Sequence, residues 1–245
     1  MDRVFDGLTI TDFHGDMHRN IVSLRESQDL YDDLSSHPES WKAAIDLELS
    51  TKPHTYQSKQ TIVDRPFEEA AMNEAIHYPF KNWMISRYSD GSFGVWYGAD
   101  TLSTSVYETV YHWVTGLLRD AYWEAINGIC IERKVYLVRG DAGLLNFIPK
   151  LDLFPALIDP APKGNDLTHQ VGARIHHDGH PGLISRSARS TGDVYAIFNS
   201  KVLSNPRQIC FLTYRTEDGS VFVERQPRQL LLKIKMNSGV PPEAT

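Results

Sequence analysis

Apolar positions change their period twice along this chain. Through residues 1 to 80 they are sparse, with Leu24, Leu30, Leu34, Trp41, Ile45 and Leu49 at loose helical spacings and Pro38 opening a second piece. This predicts two or three helices joined by loops such as SSHPES and STKPHTYQSKQ. From Pro79 the pattern tightens: WMISRY and FGVWYGA read as strands flanking the polar turn SDGS, a hairpin arrangement. Leu102, Val106, Val110, Trp113 and Leu117 then step by three or four residues, giving one apolar helical face from Thr101 to about Arg119. Beyond it, ICIERKVYLV, GLISRS, DVYAIF, QICFLTY, SVFVER and QLLLKI are short β-branched and aromatic runs separated by turns. Between them DLTHQVGARIHH is a helical candidate, PKLDLFPALIDPAPKGND is loop-rich, and MNSGVPPEAT reads as a frayed end. The expected organisation is a helical extension over 1–80 packed on a core of 81–235, with a tail at 236–245. Trp41, Ile45, Leu47 and Leu49 motivate that packing, because short helices cannot bury such a cluster alone.

Composition narrows the class without changing this outline. With 245 residues, 41% of them hydrophobic and 23% charged, the chain is an ordinary globular protein with one good core. A net charge of -6 and a pI near 5.9 argue against direct nucleic-acid binding, which draws most of its affinity from a basic surface. A locally basic ligand pocket is compatible with that balance. Cys130 and Cys210 both lie in apolar strand-like runs, so buried free thiols and a reducing compartment are expected. The opening MDRVFDGLTITDFHGDM lacks a basic stretch followed by an apolar one, and no run approaches membrane-spanning length. The expectation is a cytoplasmic chain with no signal peptide and no membrane segment.

Histidine clusters invite a metal reading. His14, Asp16 and His18 form one group, and His176, His177, Asp178 and His180 another. HHDGH contains a glycine and precedes Pro181, so it reads as a loop. Neither group has the helical or C-x-x-C framework of a strong zinc signal, and no metal is expected.

Arg87, Tyr97, Glu108 and Ser187 are the polar residues that lead. An arginine, an aromatic and a glutamate in one cleft suit a dinucleotide whose glycosidic bond is to be broken. The guanidinium matches a pyrophosphate bidentately, the ring stacks on a planar base, and the carboxylate meets the positive charge developing at the sugar carbon. Each has a plainer reading. Arg87 could face solvent; Tyr88 alternates with it and could be packing; Tyr97 beside Trp96 could be core. Glu108 could close a capping box with Ser105, although Thr101 or Asp100 would cap as well and place Glu108 inside the helix beside Val106 and Val110. His112 shares the helix face of Glu108 and reads as a polar residue at the pocket edge. Ser185 competes with Ser187, and no serine sits in a G-x-S-x-G elbow.

The stretches R-Y-S, W-Y-G-A-D-T, Y-E-T-V-Y-H and G-L-I-S-R-S-A-R resemble, in order, the landmarks of the RES-domain family, from about Trp83 to Arg215. The resemblance implies an α+β fold like the ADP-ribosyltransferases, with a split β-sheet core. It also implies cleavage of the bond between nicotinamide and ribose in NAD+, which is substrate and not cofactor. The acceptor would be water, phosphate or a protein side chain. Arg87, Tyr97, Glu108 and Ser187 would be catalytic, and Arg87, Tyr88, Tyr97, Ser187 and Asn199 would contact the dinucleotide. Inorganic phosphate, an Xre-type antitoxin and a second copy of the chain are the further partners expected; the alternatives are protein ADP-ribosylation and a non-catalytic nucleotide-binding module. The arginine that many members carry in a G-R-W-N segment is missing, SDGSFGVW standing in its place, which leaves phosphate handling unassigned.

Overall fold

Strand β5, Cys130–Asn146, is the spine of the molecule. Its apolar residues Val135, Tyr136, Val138, Leu144 and Leu145 are buried. The computed structural model describes residues 2–23, 71–123, 125–159, 166–226 and 229–236. Along one edge of β5 runs β1, Thr9–Val22, antiparallel from Thr9↔Asn146 to Val22↔Arg133. The other edge is divided. Its Cys130-to-Gly140 part pairs antiparallel with β8, Leu203–Glu217, while Leu145 and Asn146 pair in parallel with β6, Gly182–Arg186.

From β6 the sheet passes to β7, Asp193–Ile197, and to β4, Trp96–Ala99, which returns to β1 at His18↔Ala99. Strands β1, β4, β7, β6 and β5 thus close a ring, and β8, β9 (Ser220–Gln226) and β10 (Gln229–Lys235) extend from β5 as a wing. The result is a mixed α/β fold whose eight-stranded sheet splits at β5. The helix Leu102–His112 buries Val106 and Val110 against the wing, with Val135, Leu212, Tyr214, Val221 and Val223. The helix Asp166–His177 packs Val171 and Ile175 against the ring, with Leu145, Phe147, Leu183 and Ala196.

Every strand-like run of the second half lies on a strand, and DLTHQVGARIHH coincides with its helix. Several expectations are corrected. β1 lies within the stretch read as a helical extension over 1–80. Its sequence TITDFHGDMHRNIV is too polar to show an apolar stripe, yet Thr11, Phe13, Gly15 and Met17 are covered while Ile10, Asp12, His14 and Asp16 are exposed, the two-residue period of a half-buried strand. Residues 71–81 are helical, with a π turn at Asn73–His77. The expectations on Leu24, Leu30, Leu34, Trp41, Ile45, Leu47 and Leu49 lie outside the described residues, as does the tail beyond Met236.

The hairpin turns one step earlier than SDGS. β2, Ile85–Ser86, pairs with β3, Ser89–Asp90, around Arg87–Tyr88, while FGVWYGA joins the large sheet. The apolar stripe of the helix ends on buried Leu118, with Leu117 exposed, because a π turn over Trp113–Leu118 inserts residues and rotates the face. His176 and His177 close a helix and are not loop residues. Cys130 and Cys210 are free, but Cys130 is exposed and Cys210 only half-covered, since Cys130 opens its strand.

Candidate active site

Glu108 owes its place to the start of its helix. Thr101 is the cap: its backbone is extended and its hydroxyl oxygen accepts from the Thr104 N–H at 3.1 Å. Ser105 instead donates to the Leu102 carbonyl at 2.7 Å, so the capping box with Glu108 does not form. Glu108 therefore sits within the helix, half-buried, on a face turned to a cleft. Ser187 reaches it from beyond β6 and donates to Glu108 Oε1 at 2.5 Å. The same serine oxygen accepts from the Arg189 and Ser190 N–H groups, each at 3.0 Å. The loop can approach because residue 192 is glycine: a Cβ there would lie 2.0 Å from Thr104 Oγ1.

Arg87 is held in the β2–β3 turn from three sides. Its Nη1 and Nη2 donate to the Leu157 and Asp159 carbonyls at 3.2 and 3.1 Å. The Tyr97 hydroxyl lies 2.9 Å from Ser86 Oγ and accepts from the Tyr88 N–H at 3.1 Å. Burial pushes that hydroxyl up to about 12, only partly offset by the Ser86 contact, so it stays protonated near neutrality. Behind the turn, His169 Nε2 meets the Ser86 carbonyl at 2.9 Å, and Gly172 lets the helix close in, since a Cβ there would lie 1.8 Å from the Tyr88 carbonyl.

These elements enclose a cleft of about 450 Å³. Arg19, Arg87, Arg186 and Arg189 line it, and Glu108 is the one carboxylate among the described lining residues. Arg19 comes from β1, donates from Nη1 to the Tyr97 carbonyl at 2.8 Å and lies 5.5 Å from the centre of the Trp96 ring. Burial lowers its pKa to about 10, with Arg133 adding to the effect and Tyr97 opposing it, so it remains a cation. Arg189 stacks on Tyr111 at 3.3 Å, and burial lowers its pKa against the pull of Tyr111 and Glu108. Arg19 Nε and Arg189 Nε are both buried without an acceptor among the described residues. His112 is held below the ordinary histidine range by burial, with Glu108 opposing, which favours the neutral ring.

Of the residues singled out in the sequence, Arg87, Tyr88, Tyr97 and Glu108 line the cleft, and Ser187 stands directly behind Glu108. Tyr88 is also core: its ring is buried among apolar neighbours. Asn199 is a correction. It is exposed, accepts from the Lys201 N–H at 3.0 Å as the cap of a short 3-10 turn, and does not line the cleft. Sequence reasoning missed Arg19, Asn20 and His18 as cleft residues because the strand carrying them was not recognised. Arg189 stands at the end of the G-L-I-S-R-S-A-R stretch, two residues after Ser187. Among the described residues no group of His, Cys, Asp or Glu is arranged to hold a metal, and no helix is long and apolar enough to cross a membrane.

The family model described as RES domain matches residues 60–218, and the chain belongs to the RES-domain family. No curated protein matches it. Among solved structures it is similar to a chain of the crystal structure of the M. tuberculosis MbcT–MbcA toxin–antitoxin complex, with a TM-score of 0.43 and 9% identity over 85% of this chain and 90% of that one.

Proposed function

We propose that this protein is an NAD+-cleaving enzyme that breaks the nicotinamide–ribose bond and passes the ADP-ribosyl group to water or phosphate. One observation carries the reading: Glu108, fixed by Ser187, stands as the single carboxylate among the described residues of a cleft whose other charged lining residues there are arginines. A dinucleotide brings two negative phosphates and a cationic nicotinamide, and this charge pattern is complementary to both. Arg19 and Arg189, whose Nε groups lack acceptors among the described residues, supply the phosphate contacts that the missing G-R-W-N arginine left unassigned. Arg87, already bonded to two carbonyls, is pre-oriented for the adjoining ribose or phosphate.

In the reaction the C–N bond breaks with its electron pair going to nicotinamide, which departs as a neutral molecule. Little acid catalysis is needed; the positive charge left on the ribose is what Glu108 stabilises. Ser187 keeps the carboxylate aimed, and Tyr97 fixes the Arg87 turn while its ring flanks the cleft. Because such an activity would exhaust the NAD+ of its own cell, we read the chain as a toxin controlled by an Xre-type antitoxin.

Purified protein incubated with NAD+, with and without phosphate, should release nicotinamide together with ADP-ribose or its 1″-phosphate. Label retained on protein would favour ADP-ribosylation of a target. NAD+ binding with no release would leave a nucleotide-binding module.

A further inference from the structure

A buried cation on β5 bears on the cleft through more than its effect on Arg19. Arg133 of β5 is 7% exposed and makes no ion pair among the described residues. Its Nε donates to Asn20 Oδ1 and its Nη2 to the Asn20 carbonyl, each at 2.9 Å, and its guanidinium lies 5.7 Å from the centre of the Tyr214 ring. Asn20 Nδ2 donates to the Tyr214 hydroxyl at 2.8 Å, and that hydroxyl lies 2.9 Å from Thr109 Oγ1. Thr109 Oγ1 is 2.8 Å from the Ser105 carbonyl, one turn back on the helix that carries Glu108.

The direction of every link follows from the first. Arginine has no acceptor, so the Asn20 oxygen must face it and the Asn20 amide nitrogen must face Tyr214. Tyr214 Oη accepts from Asn20 and has one proton left, which goes to Thr109. Thr109 in turn gives its proton to a carbonyl, which can only accept. The chain therefore runs one way, Arg133 to Asn20 to Tyr214 to Thr109 to Ser105, across β5, β1, β8 and the helix. Bonds polarised in one sense reinforce each other in a buried setting. Its last side chain is the immediate neighbour of Glu108, and both Asn20 and Thr109 line the cleft.

We propose that Arg133 is a positioning residue which, through Asn20, Tyr214 and Thr109, fixes the helical turn that aims Glu108. This rests on the reaction proposed above, and its test separates the two. Tyr214→Phe removes one hydroxyl and interrupts the chain while keeping the ring; Thr109→Val interrupts it one link later with little change of shape. Each should lower kcat for nicotinamide release about tenfold with KM changed less than about twofold, because a misaimed carboxylate is felt in the transition state. In a Glu108→Gln background neither substitution should reduce the residual rate further, since the residue they act through is already disabled. Unchanged kcat in both variants, or an equal loss in the two backgrounds, overturns the positioning role, the latter marking general damage. If the wild-type protein releases no nicotinamide, the proposed reaction fails on its own. The same cycle is then read in the dissociation constant for ADP-ribose measured by calorimetry, where effects that simply add overturn the positioning role and effects that couple support it.

Discussion

At the scale of single residues, the pair Ser187–Glu108 joins stability to chemistry. The Ser187 oxygen accepts from two backbone N–H groups while donating to the carboxylate, and the residue is 5% exposed. Ser187→Ala leaves those N–H groups and one carboxylate oxygen without their partner, at a cost of about 1–3 kcal/mol of unfolding free energy, and frees Glu108 to turn. A lowered melting temperature together with a reduced kcat is expected; a variant with native melting and native kcat would show that Ser187 supports neither. The types and order of Arg87, Tyr97, Glu108 and Ser187 were legible in the sequence, because each motif is local. What their polar atoms are committed to was not. The Tyr97 hydroxyl holds the Ser86–Tyr88 turn, two Arg87 nitrogens bond to the carbonyls of a loop some seventy residues away, and Asn199 serves as a cap. Those partners are distant in sequence, and no pattern announces them.

At the scale of elements, the cleft depends on close approaches that only glycine permits. Gly172 brings the Asp166–His177 helix against the Arg87–Tyr88 turn, and Gly192 brings the Ser187 loop against the start of the Glu108 helix. Gly172→Ala forces a methyl into the Tyr88 carbonyl; the strain of overpacking is typically about 1–3 kcal/mol. It should lower the melting temperature and displace Arg87, so that KM for NAD+ rises. Native stability and native KM in that variant would show that the helix can withdraw without disturbing the turn. The β-rich half was legible because QICFLTY, SVFVER and QLLLKI carry β-branched and aromatic residues at strand spacing. β1 was not: charged and histidine side chains fill its exposed face, and its apolar face holds only Phe13, Gly15 and Met17. Missing that strand hid His18, Arg19 and Asn20 together.

At the scale of the whole molecule, an acidic chain of net charge -6 encloses a cleft rich in arginine, so attraction for an anionic ligand is local while the surface as a whole repels polyanions. The ring of strands that builds the cleft also couples folding to pH. His18, on β1, is held below its ordinary 6.5 chiefly by burial, with carbonyls of Asp100 and Ala99 and the charges of Asp100 and Asp16 opposing. A depressed folded-state value means that the unfolded chain takes up the proton first as pH falls. The contribution to stability is therefore intact above about 6.5 and is lost as pH drops through the lower folded-state value. His112 acts in the same sense. Melting temperature should fall between pH 7 and pH 5, and less steeply in His18→Gln; parallel curves for the two proteins would remove His18 as a contributor. Whether Glu108 stabilises charge on the ribose as nicotinamide departs is decided by nicotinamide release at saturating NAD+ for wild type and Glu108→Gln. The substitution keeps shape and hydrogen-bonding reach while removing the charge, so the wild-type protein should release nicotinamide measurably and the variant should lose roughly a hundredfold or more. Equal rates in the two proteins would contradict that role.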